Sequence, residues 1–141
     1  MSDEKTYGLS LRFKVTIDGQ PMGEWTKCDG LSVEFDVKEV KEGGNNAFIH
    51  RLPGRAKYQN IKLSRPLDKS TTDVAKWLAT VAGSLARSTA KIAVLDTLGH
   101  EVASWSLVGV YPAKWTGPTL DVGQNQVATE SLELVHNGFG G

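Results

Sequence analysis

Cysteine is nearly missing from this chain. Cys28 is the only one in 141 residues, so no intrachain disulfide can staple the fold. A lone thiol fits a reducing compartment, where a domain relies on its core alone. Charge of one sign is missing too: sixteen Lys and Arg balance sixteen Asp and Glu. With no block of like charge to make a basic arm or acidic tail, the phosphate backbone of a nucleic acid is a poor first partner. Apolar runs are short. Nowhere do eighteen apolar residues follow one another, as a transmembrane helix would need. The start MSDEKTYG is polar and acidic, without the charged-then-apolar order of a signal peptide. Synthesis and folding in the cytosol are therefore expected. What the chain does have, 40% apolar and 23% charged residues, is ordinary globular stock, enough for one core in a single domain over 1–141.

The dominant hydrophobic period is two. Leu11, Phe13, Val15 and Ile17 alternate with Arg12, Lys14 and Thr16, the pattern of a strand with one buried face, and Asp18-Gly19 then supplies a tight hairpin turn. Pro21 has no N–H to donate, so the returning segment through Gly23 to Cys28 is expected at a sheet edge. Val33, Phe35 and Val37 alternate with Glu34, Asp36 and Lys38, and strand-like runs recur over 58–64, 92–95, 102–111 and 126–136. One segment changes period. Val74, Trp77, Leu78, Val81 and Leu85 return at three- and four-residue spacing, which predicts an amphipathic helix over about 72–87, capped by Thr71 or Thr72 and carrying Asp73 in its first turn. The expected fold is mainly β: two packed antiparallel sheets forming a small barrel or sandwich with one flanking α-helix.

No convergent chemistry is written along the chain. His50, His100 and His136 lie far apart, and none has a second ligand at a spacing that zinc uses, so they read as exposed or hydrogen-bonded histidines. Cys28 would need a histidine brought near by the fold to act as a nucleophile; a small buried hydrophobe is the simpler role. Glu34, Asp36, Glu39 and Glu42 share their stretch with Lys38 and Lys41, a solvated face of mixed sign and not an acid–base pair. The segment EGGNN lacks the lysine and Ser/Thr of a phosphate loop and does not run into a helix. Of the four tryptophans, Trp77 on the apolar helix face and Trp105 in mid-strand suit core packing. Only Trp115, in YPAKWTGP, has a loop-like setting suited to an interface. No enzyme, cofactor or metal site is expected.

Edges are the remaining problem. A small β domain exposes unpaired backbone groups at its sheet margins unless they are closed, charged or covered. Pairing those margins between copies would fuse several sheets into a ring with a polar, wet inner face. The segments that raise this problem carry a resemblance. "FKVTIDG", "CDGLSVEFDVKEVKEGGNN", "RLPGRAKYQNIKLSRPL" and the long stretch from "IAVLDTLGHEV" to "ESLELVHNGF" stand in order along nearly the whole chain. In this combination the sequence resembles the tail tube proteins of contractile phages and of extracellular contractile injection systems. It departs from that family at Arg65-Pro66, where the family's strand typically ends in Arg-Gly.

The resemblance implies a fold related to the type VI secretion tube subunit. Six copies form a ring, rings stack into a hollow tube inside a contractile sheath, and contraction drives the tube through a target envelope. The implied partners are further copies of the chain, the sheath protein, baseplate or spike and tube-cap proteins, and a cargo of DNA or protein in the lumen, with no membrane insertion by the subunit. The implied location is the cytoplasm of the producing bacterium during assembly and then a phage or phage tail-like particle. Residues 42–55 resemble the family's extended inter-subunit loop. Its interface candidates are Glu42, Gly43, Gly44, Asn45, Asn46, Phe48, Leu52, Pro53 and Gly54, joined by Trp115; the glycines allow close approach and the asparagines bond to backbone. Lumen candidates are Glu34, Asp36 and Lys38 on one strand, Asn60, Lys62 and Ser64 on a second, and Thr129, Ser131 and Glu133 on a third. The alternatives are a tube-initiator or baseplate-proximal homologue of the same fold, and a monomeric β-sandwich binding module whose 42–55 segment is a plain surface loop.

Overall fold

The structure, a computed structural model, describes residues 12–41, 49–84, 86–118, 120–123 and 128–140, with backbone alone at 38–41 and 49–53. Strand β1 (Arg12–Ile17) buries Val15 and Ile17 completely and turns Arg12 and Lys14 to water. Asp18 and Gly19 follow with φ of 52° and 79°, the left-handed pair that a two-residue type I′ hairpin demands. Strand β2 (Gln20–Trp25) returns along β1 and has no described strand on its other side, which leaves the missing N–H of Pro21 harmless. Only Thr26 separates β2 from β3 (Lys27–Asp29), which pairs with a different strand, β6 (Ile61–Pro66).

Strands β7 (Ser88–Leu95), β8 (Glu101–Thr116), β9 (Thr129–Val135) and β10 (Gly138–Gly140) complete an antiparallel path in the order β2-β1-β7-β8-β9-β6-β3, with β10 also on β8. The two expected sheets are halves of this path. Strand β8 belongs to both, pairing with β7 up to Val110 and with β9 from Tyr111 onward. Their inner faces share one core, to which Val15, Ile17 and Ile92 contribute from one half and Ile61, Leu63, Leu132 and Leu134 from the other. Where the two ends of the path meet, the Thr26 N–H donates to the Ser64 carbonyl at 3.1 Å, but the end strands β2 and β3 form no ladder with each other, so the barrel is not closed. Two boundaries differ from expectation. Strand β8 continues past Pro112 because that residue sits at a register shift, where a missing donor is tolerated. Strand β7 starts at Ser88, four residues before the apolar run of 92–95.

Helix α1 (Thr71–Val81) covers part of this core with Val74, Trp77 and Val81. It stops before the predicted residue 87. Leu85 continues the apolar period, but Gly83 takes a left-handed φ of 75° and the Ser84 N–H bonds to the Val81 carbonyl at 3.0 Å, which ends the helix. Ser70, not Thr71 or Thr72, is the N-cap residue; the turn before it is tied by Asp68, whose carboxylate accepts from the Ser70 N–H at 2.7 Å. Asp73 lies in the first turn as its charge requires.

Cys28 packs half-buried against the same core. Burial, aided by the negative charge of Asp29, pushes its thiol up to about 11. At pH 8 about one thiol in a thousand is then ionised, against about one in ten for a cysteine at 9.0. A chromogenic disulfide reagent should therefore label the native protein about a hundredfold more slowly than the protein in denaturant. Equal rates would contradict this packing.

Strands β4 (Val33–Lys41) and β5 (Ile49–Tyr58) form a separate two-stranded antiparallel hairpin. This corrects the reading of 42–55 as a loop. Residues 42–48 lie outside the described residues, whereas residues 49–55 are strand, in register from Lys41 opposite Ile49 to Val33 opposite Tyr58. Pro53-Gly54 looks like a turn signal in the sequence but sits at a register shift in a strand whose outer edge no described strand pairs.

Candidate assembly surfaces

The β4–β5 hairpin is amphipathic. Residues directly opposite across a ladder share a face, so Val33 with Tyr58 and Phe35 with Ala56 define one side, and Glu34 with Lys57 the other. The polar side is knitted by Lys57 Nζ on Asp36 Oδ1 at 3.3 Å. At the root, the Tyr58 ring meets Phe139 edge-on at 5.3 Å and His136 at 5.4 Å, and His136 Nε2 bonds the Gln59 carbonyl at 3.1 Å. Farther out none of the described residues covers the apolar side: Phe35 is 61% and Val37 58% exposed. A lone two-stranded ribbon is marginal in water, and contiguous exposed apolar surface marks an interaction site. Gly54, expected as an interface residue, lies close against its own hairpin, where a Cβ would run into the Asp36 carbonyl.

A second surface is the outer face of β6 and β9. Alternation sends Ile61, Leu63, Leu132 and Leu134 inward and brings Lys62 opposite Glu133, Ser64 opposite Ser131 and Pro66 opposite Thr129. Asn60 joins them, its amide donating to Glu133 Oε2 at 2.7 Å. Six of the lumen candidates thus lie together, while Glu34 and Asp36 stand apart on the hairpin; the side chains of Lys38, Leu52 and Pro53 are not among the described residues. A shallow groove of about 210 Å³ runs along this face, and its lining adds Lys114 and Thr116 of β8. Lys27 and Asp29 of β3 extend the face on the other side through their pairing with Ser64 and Lys62. The four additional residues alternate with Cys28 and Trp115, a signal present in the sequence but uninterpretable without the strand register.

Trp115 is strand, not loop, and is anchored from below. Its indole N–H donates to Glu130 Oε1 at 2.9 Å, while 37% of the residue stays exposed. Among the described residues Glu130 and Arg65 are the two charged ones buried in the core, at 1% and 2% exposure. Arg65 Nε donates to Glu130 Oε2 at 2.8 Å and Arg65 Nη1 to the Met22 carbonyl at 2.8 Å; the Thr71 hydroxyl donates to Glu130 Oε2 at 2.5 Å. The guanidinium lies 3.9 Å from the centre of the Trp25 ring. Burial would raise the Glu130 carboxyl, but the bonds from Thr71, Trp115 and Arg65 and the Arg65 charge outweigh it and hold Glu130 below its ordinary range. The pair therefore joins β6, β9, β8, β2 and the start of α1 at one point. Pro66, the departure from the family pattern, simply ends β6, and the next N–H, of Leu67, bonds the Ala128 carbonyl at 3.0 Å.

Among the described residues no group of three or more His, Cys, Asp or Glu is placed to hold a metal. Arg65 and Glu130 form a buried ion pair in which, among the described residues, Arg65 Nη2 finds no hydrogen-bond partner.

The chain resembles a chain of the extracellular contractile injection system PVC sheath–tube complex in the extended state, with a TM-score of 0.73 at 18% identity over 99% of this chain and 95% of that one. It resembles a chain of the anti-feeding prophage tube terminating cap with a TM-score of 0.73 at 23% identity, over 92% and 86%. Hcp1 from Flavobacterium johnsoniae shares the fold more distantly, with a TM-score of 0.50 at 12% identity over 89% of each chain. No sequence among the curated proteins matches. The family model for T4-like virus tail tube protein gp19, however, matches residues 9–140, from before β1 to the end of β10. The chain belongs to that tail tube family.

Proposed function

We propose that this tail tube protein closes into hexameric rings that stack as the rigid inner tube of a contractile tail or injection system. The observation that carries the reading is the hairpin: its apolar side, with Phe35 and Val37 open to water, and its edges, unpaired among the described residues, need a neighbouring copy. The polar outer face of β6 and β9 then lines the channel, with Glu34 and Asp36 on the hairpin completing the wall. Glu42, Gly43, Gly44, Asn45, Asn46 and Phe48, which join β4 to β5, reach across to the next ring on the strength of the family resemblance, and Trp115 borders that contact. The outer surface meets the contractile sheath, and the tube ends meet the baseplate or spike and the cap. Subunits are made in the cytoplasm of the producing bacterium and leave it as part of a phage or phage tail-like particle, with cargo in the lumen. The family is a structural one, and the role assigned is mechanical and not catalytic.

Sedimentation and negative-stain electron microscopy of the purified chain, alone and with its sheath and baseplate, test this. Rings or rods with a central hole are expected. A monomer under every condition that retains a ligand would replace the tube by a binding module.

A further inference from the structure

The register across β3, β6, β9 and β8 arranges the outer face in rows. Asp29 stands opposite Lys62, Lys62 opposite Glu133, and Glu133 opposite Lys114. Charge therefore alternates minus, plus, minus, plus from strand to strand. In the neighbouring row Ser64 and Ser131 are followed by Thr116, with Lys27 at the end. Adjacent strands lie about 4.8 Å apart, so each charge has an opposite one a single strand away. The field of such a row cancels within a few ångströms of the wall.

A wall that handles a polyanion needs a net sign. Duplex DNA carries about one charge per 1.7 Å of its axis, and a surface that binds it releases counterions by being cationic; one that must keep it from sticking has to be anionic. Single strands are held, in addition, by aromatic platforms. The two rows together set Lys27, Lys62 and Lys114 against Asp29 and Glu133, so the face is neither anionic nor strongly cationic, and Trp115 beside it turns its indole N–H to Glu130 on the other side of the sheet. For a polypeptide the same wall is well suited. Each carboxylate or ammonium of the cargo passes a counter-charge without net attraction, and the hydroxyls exchange hydrogen bonds with backbone. No large exposed apolar side chain lies in either row to trap an apolar segment. Resting on the reading of this face as the channel wall, we infer that the tube conducts a polypeptide of mixed charge and not nucleic acid.

Rods assembled from the full chain with a fluorescent linear DNA duplex, or with a small fluorescent protein of near-zero net charge, test the inference. After washing and digestion, rods visible by electron microscopy should protect the protein about tenfold better from protease than the DNA from nuclease. Asp29→Lys with Glu133→Lys makes the row wholly cationic and should raise DNA retention at low salt about tenfold, a gain that added salt removes. Should this double variant fail to fold, the wild-type rods decide alone. Rods that protect DNA as well as or better than protein, or that protect neither, overturn the cargo inference and leave the tube standing. A chain that forms no rings or rods overturns the wall itself, and the inference with it.

Discussion

Replacing Glu130 with alanine should cost about 3–5 kcal/mol of folding free energy, the range for stranding one member of a buried ion pair. Domains of this kind keep about 5–15 kcal/mol in all, so the loss is a fifth of the total or more. The size follows from geometry. Without the carboxylate, Arg65 keeps its charge at 1% side-chain exposure, and Trp115 and Thr71 lose their acceptor. Urea denaturation of the isolated subunit measures the change directly, and a loss under about 1 kcal/mol would be incompatible with a sealed pair. The same pair sets a pH dependence. The native state holds the Glu130 carboxyl below its ordinary value of 4.5, so the folded state takes up its proton less readily than the unfolded chain. Its stabilisation is complete above the unfolded value and is lost as pH falls through the folded one. The wild-type midpoint should therefore fall on acidification below pH 4.5 more steeply than that of Glu130→Gln, which has no such proton to bind.

The second large effect concerns assembly and should leave the subunit itself intact. Phe35→Asp combined with Val37→Asp should abolish rods while changing the melting temperature of the monomer little, because both side chains are already more than half exposed. Complete burial of such side chains is worth about 1.5–3 kcal/mol each. The part still available at a contact is therefore a few kcal/mol per copy, and carboxylates placed there add a desolvation cost. The joint recurs at every subunit, so the loss multiplies along the assembly. Sedimentation and electron microscopy read the outcome, with circular dichroism as the check on folding. Rods of normal length would remove the hairpin from the interface.

Local patterns were legible and long-range ones were not. The β1–turn–β2 hairpin follows from alternation and Asp18-Gly19, and α1 follows from its apolar spacing, although Gly83 ends it earlier than Leu85 suggests. Strand β5 was hidden by its own Pro-Gly, a turn signal that a bulge on an edge strand absorbs. Arg65 and Glu130 were passed over as charges, yet the sequence placed both on inward positions: Ile61, Leu63, Arg65 and Glu130, Leu132, Leu134 each share one parity. The polar outer face of β6 and β9 was readable strand by strand for the same reason. That Lys27, Asp29, Lys114 and Thr116 extend it depends on register between segments up to about ninety residues apart, which no local pattern encodes.

Strand β8 has a mechanical consequence. Its sixteen residues are stitched to β7 along one portion and to β9 along the other. Sliding one half of the subunit past the other must tear hydrogen-bond ladders or stretch covalent backbone, since no smooth plane separates them. A thrust applied to either half is carried through to the other along the polypeptide itself, and the subunit answers compression as a single block.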